Sequence, residues 1–162
     1  MPSITAVLHT SNDARQLGRA LETLYPCDEI LIIDHHSHDA TVTIAREYGA
    51  RVIESCNDAT ASDYLRSAGG EWILCLEPRE SLTETLAASL YEWKVARTGE
   101  NTRAVNIYLR EESTSGWIDL PTPETRLIPK TWTRWEGWLP AYDHSAQTLE
   151  GALLRFMESR SS

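Results

Sequence analysis

The sequence has no apolar run of membrane-spanning length, no close pair of cysteines and no excess of basic residues. The first absence excludes a transmembrane helix, which needs about 20 consecutive apolar residues. The three cysteines, Cys27, Cys56 and Cys75, are an odd number without CxxC spacing. That excludes a disulfide framework or a cysteine-rich metal site and fits a reducing cytoplasm. Lys plus Arg number 15 against 24 Asp plus Glu, a net charge of −9. A surface this acidic repels phosphate backbones, so neither nucleic acid nor an anionic membrane is an expected partner. No basic segment followed by an apolar stretch opens the chain, so no signal peptide is expected. Repeats, low-complexity tracts and linkers are also missing.

What remains is 162 residues of ordinary composition, 41% hydrophobic and 24% charged. This suits one cytoplasmic domain spanning residues 1–162. Its first ninety residues alternate strand and helix. Ile4–Leu8 is an apolar β-forming run; Asn12 or Asp13 then caps a helix with Ala14, Leu17, Leu21 and Leu24 on one face, stopped by Pro26. Glu29–Asp34 is a second strand, and Asp39 caps a second helix ended by Gly49. Arg51–Ile53 is a third strand, 58–68 a weak helix and Glu71–Leu76 a fourth strand. Ser81-Leu82-Thr83-Glu84 reads as a capping box opening a helix through Leu86, Leu90 and Trp93. Helical crossovers of this length imply a parallel sheet flanked by helices.

The remainder is less regular. A turn is expected at Thr98–Thr102, strands at Ala104–Leu109 and Arg126–Ile128, a polar loop over 111–125, and a closing helix near 145–159 with Leu149, Leu153 and Phe156 on one face.

In open α/β sheets ligands sit beyond the carboxyl ends of the strands. Asp34 ends the second strand there and is followed by Ser37, Asp39 and Thr41. Asn12-Asp13 follows the first strand, and Gly70-Glu71-Trp72-Ile73-Leu74 leads the fourth. Asp-x-x-Ser-x-Asp-x-Thr in this strand-to-helix context resembles the family 2 glycosyltransferases, especially small bacterial members of the lipopolysaccharide-core and β-1,4-glucosyltransferase kind. The likeness covers residues 3–90 and, more faintly, 124–141. It implies a Rossmann-like, GT-A-type α/β fold, with residues 1–97 as the nucleotide-binding half and 98–162 as a shortened acceptor-side half. It further implies a nucleotide sugar such as UDP-glucose as partner and, in an active protein, inverting transfer to an acceptor hydroxyl. In that family the second-strand aspartate accepts a hydrogen bond from the nucleotide base, a role carried over to Asp34, with Asn12 beside the nucleotide.

The departures lie at the chemistry. The family's fourth strand ends in Asp-x-Asp, whose carboxylates hold Mg²⁺ or Mn²⁺; here the triplet is Glu77-Pro78-Arg79. Glu77 retains an oxygen donor for a metal, whereas Arg79 is permanently positive and donor-only. Arg79 either neutralises the diphosphate in place of the metal or pairs with Glu77 or Glu80. Glu80 is the nearest surviving base, with Asp119 and Asp143 as later alternatives. Ala61-Ser62 stands where an Arg-Asn pair is usual, and Pro140-Ala141 follows Gly137 where the family shows His-Glu. A degenerate, non-enzymatic nucleotide-binding or interaction module on the same fold is the competing reading.

Two further groups read as structural. His35, His36 and His38 are expected as solvated loop histidines rather than a metal site. Trp117, Trp132, Trp135, Trp138 and Tyr142 are expected in a small core or a homodimer interface more than in sugar stacking.

Overall fold

A computed structural model of the chain describes residues 1–96 and 103–157. Four strands, β1 (Ile4–Thr10), β2 (Glu29–Asp34), β3 (Arg51–Glu54) and β4 (Trp72–Cys75), pair in parallel in the order β3-β2-β1-β4. Helices α1 (Ala14–Glu22), α2 (Thr41–Glu47) and α3 (Ala61–Leu65) make the crossovers. Strands β1, β2 and β4 read as largely apolar runs because both sheet faces are covered there, whereas β3 is a short edge strand with exposed ends. On one face Leu8, Ile32 and Leu74 are buried with Leu17 and Leu21 of α1 and with Leu86, Leu90 and Trp93 of a fourth helix, α4 (Glu84–Ala96). On the other, Val7, Leu31, Ile33 and Ile73 pack with Tyr64 and Leu65 of α3 and with Trp132 and Trp135.

Beyond β4 the sheet becomes mixed. Strand β8 (Glu124–Pro129) runs antiparallel to β4, and β6 (Val105–Ser113) antiparallel to β8. Strand β11 (Gln147–Arg155) lies parallel to β6, and β5 (Glu80–Leu82) closes the edge antiparallel to β11. A hairpin strand, β7 (Gly116–Asp119), extends β6, and β9 (Trp135–Glu136) with β10 (Leu139–Pro140) forms a separate two-stranded hairpin. No helix among the described residues is long and apolar enough to cross a membrane.

Several expectations are corrected. The segment expected as a helix from 145 is strand β11 over its described part, because residues 147–155 complete the sheet between β6 and β5. Its Gly151 adopts φ +101° at a register shift between Thr148 and Ala152, with the backbone of Leu86 so close that a Cβ would lie 2.5 Å from its nitrogen. The capping box at Ser81–Glu84 is displaced: Ser81 and Leu82 belong to β5, and Thr83 caps α4 by accepting the Leu86 N–H at 3.2 Å. A reciprocal box does form at α3, between Thr60 and Asp63. Half of the expected loop at 111–125 is the β6–β7 hairpin. The turn expected at Thr98–Thr102 lies outside the described residues.

Candidate functional site

The carboxyl ends of β1 and β2 are joined by a hydrogen-bonded clasp built from the Asp-x-x-Ser-x-Asp-x-Thr residues. Asp34 accepts the Thr10 hydroxyl at 2.8 Å, the Ser37 hydroxyl at 2.6 Å and the Ser37 N–H at 3.0 Å. Ser37 Oγ accepts the Asn12 N–H at 2.9 Å, and Thr41 Oγ1 accepts the Asp13 N–H at 2.9 Å. Asp39 accepts from Ala14 N at 3.2 Å and from Thr41. Each of the four motif residues thus bonds the end of β1, the loop that follows it or the first residue of α1. Asn12, at φ +55°, returns the contact by accepting the His38 N–H at 2.8 Å. Asp39 therefore ties two loops together, one residue ahead of the Ala40 helix cap. Burial works to raise the Asp34 pKa, but the Ser37 and Thr10 hydrogen bonds outweigh it and hold the carboxyl below its usual range. The result is an ionised acid at the sheet edge whose Oδ2 accepts one bond, from Ser37, leaving capacity for another donor.

At the end of β4 the chain turns sharply. The Glu77 carbonyl accepts the Glu80 N–H at 3.0 Å, with Pro78 at the second turn position. Arg79 Nε donates to Glu77 Oε2 at 2.7 Å, and both side chains are about a third exposed. Glu80 is different: its side chain is fully buried. It takes Arg126 Nη1 and Nη2 at 2.6 and 2.9 Å, Arg155 Nε at 3.1 Å and the Glu77 N–H at 2.7 Å. Arg126 spends its remaining donors on the Cys75 carbonyl and Glu124, and Arg155 continues to Glu111 and Glu124. Burial pushes the Glu80 pKa up, yet the Arg126 charge and hydrogen bonds overcome this and hold it low. Glu80 is thus a structural counter-ion without a free oxygen, a correction to its expected part as general base.

The family resemblance implies a divalent metal at the end of β4. Hard cations need several free anionic oxygens. Glu77 is engaged by Arg79 and Glu80 by two arginines, and among the described residues no three His, Cys, Asp or Glu side chains converge as a metal site. These residues do not fit Mg²⁺ or Mn²⁺.

On the sheet face of Val7 and Ile33, His9 Nδ1 and His35 Nε2 lie 2.8 Å apart, sharing one N–H. Trp138 stacks on His9 with ring centroids 4.3 Å apart and planes 11° from parallel, and Tyr64 meets both rings edge-on. Burial, then the neighbouring His35, pushes the His9 pKa down to about 3. His35 is therefore part of a packed aromatic wall, not simply a solvated loop residue. Trp138 is the second residue of a two-residue turn whose first, Gly137, has φ +61°. That geometry matches a type II′ hairpin and aims the indole at the sheet. Under it is a cleft of about 230 Å³ lined by His9, Leu76, Glu77, Pro78, Glu136 and Trp138, among others.

The structure brings Asn12 and Asp34 together in the clasp, and Glu77 and Arg79 together in an ion pair. Asp119 is paired with Arg110 on the β6–β7 hairpin, and Asp143 with Arg134 and Ser145. Ser62, in the usual Arg-Asn place, anchors the tryptophan segment: it donates to the Trp132 carbonyl at 3.2 Å and accepts Trp135 Nε1 at 2.8 Å. Sequence reasoning missed His9 and Glu136. A histidine late in an otherwise apolar strand was the available signal for the first; an acid just before a turn glycine was the only one for the second.

These elements build the GT-A fold of glycosyltransferases. Glucosyl-3-phosphoglycerate synthase from Mycobacterium tuberculosis, solved with Mn²⁺, UDP and glucosyl-3-phosphoglycerate, is similar with a TM-score of 0.54 and 19% identity. The match covers 67% of this chain and 44% of that one. Mannosyl-3-phosphoglycerate synthase from Rubrobacter xylanophilus is similar with a TM-score of 0.53 and 18% identity, over 68% of this chain and 40% of that one. Among curated proteins, an uncharacterised glycosyltransferase of Rickettsia felis is 31% identical over 90 residues, 53% of this chain. This chain spans about a third of that relative's length, at 32%. No family model matches the sequence.

Proposed function

We propose that the protein binds a nucleotide sugar, UDP-linked, at the carboxyl ends of β1, β2 and β4. In this reading it is a family 2 glycosyltransferase-like protein that transfers the sugar with inversion to an acceptor hydroxyl. The observation that carries it is the ionised Asp34, held by three donors with an acceptor site to spare. A carboxylate so placed suits the imide N–H of uracil. The donors of the structural neighbours support the same class: the mycobacterial synthase was solved with UDP-glucose and Mn²⁺. Arg79 is the cation for the diphosphate in this chain, offering its Nη groups to the phosphate oxygens while its Nε stays on Glu77.

Calorimetric titration with UDP and UDP-glucose, in Mn²⁺ and then in EDTA, tests this reading. Binding that survives EDTA and weakens at least about tenfold in Asp34→Asn is the expected result, since one charge-assisted hydrogen bond contributes about 1.5–3 kcal/mol. Binding that requires Mn²⁺ would remove Arg79 from its role. Absence of binding in either condition would leave the second reading, a non-catalytic interaction module. The specific observation in favour of that alternative is the burial of Glu80 beneath Arg126 and Arg155.

A further inference from the structure

With Glu80 sealed in its ion pairs, the proposed transfer lacks a proton acceptor at the end of β4. Asp34 is taken by the nucleotide base in that reading, while Asp119 is paired with Arg110, and Asp143 with Arg134 and Ser145. The cleft under the β9–β10 hairpin presents two carboxylates, Glu77 and Glu136. Glu77 is tied to Arg79. Glu136 makes no side-chain hydrogen bond or ion pair among the described residues, and its exposed position keeps it open to solvent and to ligand. The backbone around it is fixed, by pairing of Glu136 with Leu139 across the turn and by the stack of Trp138 on His9. Pro140 and Ala141, just beyond, offer no side-chain base.

The cleft's size agrees. At about 230 Å³ it is below the range of about 300–1,000 Å³ usual for whole drug-sized ligands, and leaves room for one sugar ring. An indole and an imidazole form one wall and two carboxylates stand at its rim, the apolar-face and polar-edge combination that a pyranose presents.

We propose, resting on the reading above, that Glu136 is the catalytic base. Its carboxylate takes the proton from the acceptor hydroxyl as that oxygen bonds to the anomeric carbon. The bond from the anomeric carbon to the diphosphate breaks, its electron pair leaves with the nucleoside diphosphate, and the protonated Glu136 returns its proton to solvent.

Release of UDP from UDP-glucose with water as acceptor tests the assignment, alongside calorimetric binding of UDP and UDP-glucose, in the wild type, Glu136→Gln and the distant surface control Glu150→Gln. Glu136→Gln is expected to bind both ligands within about twofold of wild type while UDP release slows roughly a hundredfold or more. The control keeps the wild-type rate. Unchanged release in Glu136→Gln overturns the proposal, as does a wild type that binds UDP-glucose yet releases no UDP. Wild-type protein that binds neither nucleotide fails the functional reading itself, a distinct result that also removes the base. Because Glu136 is exposed in a hairpin, equal melting temperatures of the variants verify that folding is intact.

Discussion

Arg126 grips Glu80 as a two-toothed fork, 2.6 and 2.9 Å from the two carboxylate oxygens, with neither side chain exposed. Attraction within such a pair barely exceeds the cost of dehydrating it, so its net stabilisation is small while it remains whole. Removing one member strands the other.

Glu80→Gln is therefore expected to lower stability by about 3–5 kcal/mol, read from urea unfolding. Asp119→Asn breaks the exposed pair with Arg110 and is expected to cost under about 1 kcal/mol. Comparable losses in the two variants would refute the structural role given to Glu80.

Acid should weaken the fold in two stages. His9 is held far below its unfolded value, so the unfolded chain binds the extra proton; stability from neutral His9 is complete above about pH 6.5 and declines as pH falls towards about 3. The slope is at most about 1.4 kcal/mol per pH unit, and His9→Gln is expected to flatten it between pH 6.5 and 5. Asp34 and Glu80, whose pKa values are lowered, add stability that is full above their unfolded values and vanishes as pH drops through the folded ones. Urea midpoints across this range check both; an unchanged slope in His9→Gln would count against burial of the neutral imidazole.

Gly151→Ala places a Cβ 2.5 Å from the Leu86 nitrogen at a φ of +101°. Backbone strain and overpacking together predict a loss of at least about 2 kcal/mol. Gly116→Ala, at φ +123° in open space, carries the strain without the collision and is expected to lose less. The difference between the two denaturation midpoints isolates the contact of β11 with α4.

Much of this architecture was legible because the first ninety residues obey local rules. Their apolar runs and helix faces repeat within short windows, and Asp34 lands at the strand end that its position in the run predicts. The second half breaks those rules for a physical reason. Leu149 and Leu153 are four apart, a spacing that satisfies one helical turn and also two strand repeats. Only pairing with Val105–Glu111 and Glu80–Leu82, far away in the chain, decides for the strand. The same distance hid the fate of Glu80: its partners lie 46 and 75 residues away, so its position after the triplet suggested an exposed acid. Trp138 likewise meets His9 across most of the chain, through a hairpin that neither strand's composition announces.

The clasp between the first two strand ends has a consequence for how such sequences are recognised. Asp34, Ser37, Asp39 and Thr41 all hold the segment Thr10–Ala14 in shape, and they would be needed for that even in a protein that turned over no substrate. A chain can lose every reacting group at the fourth strand and keep this signature intact, since mechanical need alone preserves it. The motif therefore marks the scaffold and its nucleotide end, and whether a sugar is transferred has to be read from residues outside it.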